Sequence, residues 1–164
     1  MSAFDISTAS GLAGFLNMQA SALSGLHLAQ AGDTFRPVIA DLVTNARRDL
    51  HTLGSPTPRS AAMPDSGFHP VAVDYIVGGS QLGAAVLKQR WASSGDPVVL
   101  AARSYFSAPP HTDLWREFTS RLGAMPADGA VANRIVEDAR RLFLFFTDAL
   151  PALNSSKAGE HGQA

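Results

Sequence analysis

The fold depends most on one stretch of the sequence, Tyr75-Ile76-Val77-Gly78-Gly79-Ser80-Gln81-Leu82-Gly83-Ala84-Ala85-Val86-Leu87. Its apolar residues predict a helix, although three glycines fall within six residues. Each glycine in a helix interior costs about 1 kcal/mol relative to alanine, so another interaction must offset the loss. One explanation is structural: a second helix packs closely here, or the helix kinks. The other is that a flat ligand lies against the bare backbone. The residues alone leave both explanations open.

Apolar residues on either side of this stretch recur at helical spacing. A first helix is predicted over about Ser10–Gln30. A second begins near Pro37, is marked by Val38, Leu42, Ala46 and Leu50, and is stopped by Gly54. The prolines and small polar residues from Ser55 to Gly67 predict a surface loop. A third helix is predicted over Pro70–Trp91, which includes the glycines, and a shorter fourth helix follows over Pro97–Tyr105.

Two more helices are predicted toward the C-terminus. Thr112 or Asp113 is expected to cap one that ends near Gly123, and Asp128 is expected to cap the last. The last helix has the clearest apolar stripe in the chain. Its predicted buried face consists of Val131, Ile135, Ala139, Leu142, Phe143, Phe146 and Leu150.

The overall pattern indicates one helical domain. The chain has 164 residues, which is the size of an ordinary single domain. It contains no alternating β-branched run between hairpin turns and no internal repeat. The sequence therefore predicts an all-α, multihelical single domain over residues 1–153. A polar tail, residues 154–164, is expected to be disordered.

The composition excludes several classes of protein. A net charge of −1, from 13 basic and 14 acidic residues, provides no strong field for nucleic acid or an anionic membrane. No apolar run approaches the roughly 20 residues of a membrane span, and residues 1–10 lack the pattern of a targeting signal. The absence of cysteine excludes disulfides, thiolate metal sites and cysteine nucleophiles. We therefore expect a cytoplasmic protein with neither nucleic acid nor a membrane as a partner.

The glycine-rich stretch resembles the distal helix of the biliverdin-producing heme oxygenases, whose bacterial members typically have Tyr-Val-Leu-Glu-Gly-Ser-x-Leu-Gly-Gly. Gly79 and Gly83 match glycines that let that helix bend over the heme face. Gly78 stands where many bacterial members have Glu, and Ala84 stands where a further Gly is usual. Ser80 stands where animal members have an Asp that orders water near bound oxygen, and a hydroxyl holds such a water more weakly.

Two later segments extend the resemblance over nearly the whole chain, from about residue 3 to residue 153. Residues 134–143, Arg-Ile-Val-Glu-Asp-Ala-Arg-Arg-Leu-Phe, are similar to the Arg-Val-Ile-Glu-Glu-Ala-Lys-x-Ala-Phe run of the family's late pocket helix. The resemblance implies that Phe143 and Phe146 are pocket aromatics, whereas the residues alone also suit an ordinary core.

Residues 104–122 resemble the preceding segment of the family, in which a cationic side chain meets a heme propionate. The resemblance makes Arg116 the first candidate for that role and Arg121 the second, since a guanidinium binds a carboxylate through two hydrogen bonds. An arginine on a solvated helix face is the alternative.

The resemblance also identifies what this chain lacks. Heme oxygenases bind the iron through an imidazole on their first helix, in a Thr-x-x-x-His-like pattern. Residues 1–5 align after that helix, so we expect no family-equivalent iron ligand here. The nearest substitute is His27, at the end of the first predicted helix, although a histidine there usually interacts with the helix dipole. None of the five histidines matches: His27, His51, His69, His111 and His161.

By resemblance, the chain is a bacterial-type heme oxygenase that uses heme as both substrate and cofactor and cleaves it oxidatively to biliverdin, iron and carbon monoxide. Its partners would be an electron donor such as a ferredoxin or a reductase, and a biliverdin-accepting phytochrome. Because the iron ligand is missing, the alternative is a non-catalytic relative that binds a tetrapyrrole or another protein. A thiaminase-like enzyme commonly needs a cysteine nucleophile, which this chain lacks.

The residues assigned by the resemblance fall into two groups. The catalytic group consists of Gly79, Ser80 and Gly83. The heme-binding group consists of Gly78, Gly79, Gly83, Arg116, Phe143 and Phe146.

Overall fold

The computed structural model describes residues 4–29 and 34–155, and this part of the chain forms seven helices and no strand. The prediction of an all-α fold is therefore confirmed. Of the predicted tail, residues 154 and 155 belong to the last helix, and the remainder lies outside the described residues. The helices are α1 (Ala9–Ala29), α2 (Arg36–Thr52), α3 (Pro70–Ala92), α4 (Pro97–Ala101), α5 (Ser104–Ser107), α6 (Thr112–Gly123) and α7 (Ala130–Ser155).

The most extensive helix pair is α1 with α2, and α7 packs against both α1 and α3. The inner faces of α1 and α2 follow the helical period of their apolar residues. After α2, Gly54 adopts a φ of 67°, which is the left-handed conformation that ends many helices. The buried residues of these two faces include Leu12, Phe15, Leu16, Ala20, Leu23 and Leu26 of α1 and Val38, Leu42, Ala46 and Leu50 of α2.

Two buried carboxylates connect helices that are far apart in the sequence. Asp49 of α2 accepts hydrogen bonds from the backbone N–H groups of Ser104 and Tyr105, both at 2.8 Å. Asp138 of α7 accepts one from the backbone N–H of His69 at 2.8 Å. Because buried polar groups are costly when unpaired, these bonds fix the start of α5 on α2 and the start of α3 on α7.

The Asp49 interaction also explains why the predicted fourth helix is wrong. The segment predicted over Pro97–Tyr105 divides into α4 and α5. A continuous helix needs the N–H groups of Ser104 and Tyr105 for carbonyls one turn earlier, but both groups donate to Asp49 instead. The capping prediction for α6 is wrong as well, because the helix begins at Thr112 and no side chain caps it.

Several apolar side chains of α7 are exposed, including some that were predicted to be buried. Ile135 and Leu142 are buried as predicted, but Val131 and Phe143, which belong to the same predicted face, are exposed. Val136 is exposed too. Because α7 packs against α1 and α3 along one side, these three apolar side chains on its other sides remain exposed.

Every buried residue of α3 lies in its first half. By length and composition alone, α3 is long and apolar enough to cross a membrane, but core helices of soluble proteins pass the same test. Only 28% of the most apolar 18-residue stretch of α3 is buried. The buried residues, all in the first half, are Ala72, Val73, Asp74, Val77 and Gly78.

Candidate functional site

Five residues of α3 form an open stripe, which we call the outer face of α3. Tyr75, Gly79, Leu82, Gly83 and Val86 follow one another at steps of four, three, one and three residues, so they share one side of the helix. Tyr75, Leu82 and Val86 are 45%, 56% and 57% exposed. Contiguous exposed apolar side chains are typical of surfaces that bind a ligand or another protein.

The three glycines of α3 have different neighbours. A Cβ atom on Gly78 would lie 2.5 Å from Cε3 of Trp115 and 2.7 Å from Cζ of Phe35, so helix packing requires glycine there. A Cβ atom on Gly79 would meet the Trp115 ring at an ordinary 3.7 Å, and one on Gly83 would meet nothing within 4 Å. Close packing within the described residues therefore explains Gly78 but neither of the other two glycines.

Ser80 and Gly83 line a hollow of about 410 Å³ between α1 and α3. The Ser80 hydroxyl donates a hydrogen bond to the Val77 carbonyl at 2.7 Å, so its proton is engaged within α3. Phe15 and Tyr105 form part of the opposite wall. Burial raises the pKa of the Tyr105 phenol, which keeps it neutral at physiological pH.

The other predicted heme-binding residues lie apart from the hollow. Phe143 is exposed and lines a groove of about 590 Å³ formed by α3, α6 and α7. Phe146 is half-buried and packs against the core. Arg116 is exposed on α6 and pairs with Asp113 at 3.0 Å. The structure thus brings the predicted catalytic residues close together on α3, but places the predicted aromatic and cationic residues elsewhere.

A larger cleft of about 690 Å³ lies between α2, the second half of α3 and the segment from α5 to α6. We call it the cationic cleft, because Arg48, Lys88 and Arg103 line it against one carboxylate, Asp41. Gly78 also lines it. These cations could not be predicted from the sequence, because they come from three separate segments and show no shared spacing.

The described histidines occupy other positions. His51 is exposed on the last turn of α2, and His69 caps α3 by accepting a hydrogen bond from the backbone at 3.2 Å. His111 lines the cationic cleft. The side chain of His27 and the whole of His161 lie outside the described residues. Within the described ranges, no group of three or more His, Asp or Glu side chains is placed to hold a metal ion.

Comparison with known proteins adds no relative: no protein-family model, no curated protein and no solved structure matches this chain. The chemistry of the site therefore rests on its own residues.

Proposed function

We propose that this chain is a heme oxygenase-like protein that binds a tetrapyrrole, heme or its cleavage product biliverdin, against the outer face of α3. The observation that carries the proposal is the open space over Gly83. A glycine there costs about 1 kcal/mol of helix stability relative to alanine. Apart from its chain neighbours and the backbone of its own helix, no described atom lies within 4 Å of the position of its absent Cβ. A planar ligand on the bare backbone provides the contact that would make glycine necessary.

The side chains around the glycines suit such a ligand. Tyr75, Leu82 and Val86 are each about half exposed, and covering them contributes on the order of 1 kcal/mol apiece. Arg90 lines the neighbouring hollow and offers a guanidinium to a carboxylate at the ligand edge. It replaces Arg116 in our proposal, because Arg116 is paired with an aspartate on its own helix.

The same residues suit the apolar face of a tetrapyrrole better than its iron. Among the described side chains that line the hollow, none is a histidine, and Ser80 is the hydroxyl closest in sequence to the glycines. When bound, heme supplies an iron whose reactivity toward oxygen depends on an axial ligand and its surroundings. We therefore propose binding as the function of these residues. Cleavage to biliverdin, with an electron donor, requires an imidazole from elsewhere.

Heme titration of the Gly83→Leu variant tests the binding proposal. The leucine would occupy the space assigned to the ligand, and its Cβ would meet no neighbouring element, so we expect heme affinity to fall about tenfold or more while the helix content stays the same. Gly123→Leu on α6 is a matched control, because its Cβ also meets nothing within 4 Å, and it should bind heme like the parent. Unchanged heme affinity in a folded Gly83→Leu variant would overturn the proposal.

Incubation with heme, a reductant and oxygen tests the catalytic part. We expect the 164-residue chain to form no biliverdin, because no described histidine lines the hollow beside the glycines. A reproducible biliverdin absorbance band with stoichiometric release of iron would contradict this expectation. His27→Ala would then be the next variant to measure.

A further inference from the structure

The cationic cleft has the size and the floor of a small-molecule site. Its volume of about 690 Å³ falls within the roughly 300–1,000 Å³ of typical ligand pockets. Leu42 of α2 and Phe106 of α5 are buried along it, and Trp115 of α6 is half-buried. Pro109 and Pro110 form part of the wall, and their rings restrict the backbone there. The floor is therefore apolar, aromatic and held by three segments of the chain.

The buried carboxylate of Asp49 holds two of these segments together. It accepts hydrogen bonds from the N–H groups of Ser104 and Tyr105, both at 2.8 Å. Arg48 directly precedes Asp49, and Arg103 directly precedes Ser104, so the same interaction holds both arginines beside the cleft. The backbone segments that carry the two arginines are therefore joined before any ligand binds, which reduces the ordering cost of binding.

The charge of the cleft is not balanced by the protein. Arg48, Lys88 and Arg103 line it with Asp41 as the single carboxylate, which leaves an excess of two positive charges. The side chains of these three cations make no ion pair or hydrogen bond within the described part of the chain. By contrast, Arg121 donates a hydrogen bond to a distant segment. Like charges in one cleft repel each other, and a bound anion removes that repulsion.

We propose that the cationic cleft binds an aromatic phosphate monoester. The ring covers the apolar floor beside Trp115, and the phosphate lies between Arg48 and Arg103, since guanidinium groups bind phosphate through paired hydrogen bonds. Lys88 contributes the third positive charge. A phosphate monoester carries a charge of about −1.5 to −2 at neutral pH, which matches the excess in the cleft. Gly79 and Gly83 of the outer face of α3 do not line the cleft, although Leu82 belongs to both surfaces, so loss of phenyl phosphate binding in the arginine variants and loss of heme binding in Gly83→Leu are separate outcomes.

Calorimetric titration with three probes tests the ligand class. We expect phenyl phosphate to bind saturably at one site, about tenfold tighter than inorganic phosphate, which lacks the ring, and than benzoate, which carries a single charge. Binding of inorganic phosphate as tight as that of phenyl phosphate would contradict the role of the aromatic floor. Equally tight binding of benzoate would contradict the match to a dianion.

Variants then locate the site. Arg48→Gln and Arg103→Gln should each weaken phenyl phosphate binding about tenfold, while Arg59→Gln, on an exposed loop outside the cleft, should leave it unchanged. Lys88→Gln lies on exposed α3 surface away from the Asp49 interaction, so it keeps the test decisive if the arginine variants fail to fold. Unchanged affinity in the folded cleft variants, or the same loss in Arg59→Gln, would overturn the proposal.

Discussion

The two halves of α3 are both apolar, yet they meet different surroundings. The first half contains every buried residue of the helix and ends at Gly78, which lies against Trp115 and Phe35. The second half has no buried residue and contains Gly83, which faces open space. Glycine therefore permits close packing at one point and leaves the backbone accessible five residues later. The neighbours of each glycine, and not the motif as a whole, decide what that glycine does.

The largest expected effect on stability is at Gly78, which packs against Trp115 and Phe35. Gly78→Val would force a branched side chain against Trp115 and Phe35, so we expect the free energy of unfolding to fall by about 3 kcal/mol. Urea denaturation of the variant and the parent measures the difference. An unchanged midpoint would mean that Trp115 moves aside without cost, and the two halves of α3 would then not differ in packing.

At Gly83, whose Cβ position is open, we expect the free energy of unfolding to change in the opposite direction. Gly83→Ala adds a methyl group that meets nothing within 4 Å, so we expect the free energy of unfolding to rise by about 1 kcal/mol. The same denaturation experiment measures it, with Gly79→Ala as a companion whose methyl group makes an ordinary contact with Trp115. Destabilisation by Gly83→Ala would show that this glycine is needed for the fold and would weaken the comparison.

A smaller effect on stability is expected from the apolar side chains of the outer face. Replacing Leu82 and Val86 with glutamine changes exposed positions, so the free energy of unfolding should stay within about 0.5 kcal/mol of the parent. Self-association and binding of a hydrophobic dye should both decrease, because these side chains form part of the exposed apolar stripe. Light scattering and dye fluorescence measure the two properties. A parent that is monomeric at high concentration and binds no dye would contradict this expectation.

The smallest expected effect lies outside α3 and provides a baseline for the comparison. Hydrogen bonds from Ser7 lower the pKa of the exposed Asp5 carboxyl below its ordinary 3.8. A carboxyl whose pKa is lowered by folding stabilises the protein above its unfolded pKa and loses that contribution as the pH falls through the folded value. Asp5→Asn should therefore remove a slight stabilisation at neutral pH and none at strongly acidic pH. Thermal unfolding at both pH values measures this, and equal loss at both would contradict it.

The helices that could be predicted are those with a local signal. Apolar spacing identified α1, α2 and α3 within a residue or two, because the buried face of a helix repeats along its own sequence. The break between α4 and α5 could not be predicted, since it depends on Asp49, more than fifty residues earlier. The exposure of Phe143 has the same kind of cause, because the aromatic stripe of α7 does not reveal which side its neighbours cover.

The sequence by itself determined the helical class, the main helix boundaries and the unusual glycines of α3, because hydrogen bonding within a helix and apolar periodicity are local properties. Only the tertiary structure decided that Gly78 packs while Gly83 remains open, since Trp115 and Phe35 reach Gly78 from other elements. It also decided that Arg48 and Arg103 meet in one cleft. No spacing along the chain encodes such a meeting, because it results from how separate helices pack and from a buried carboxylate that joins them.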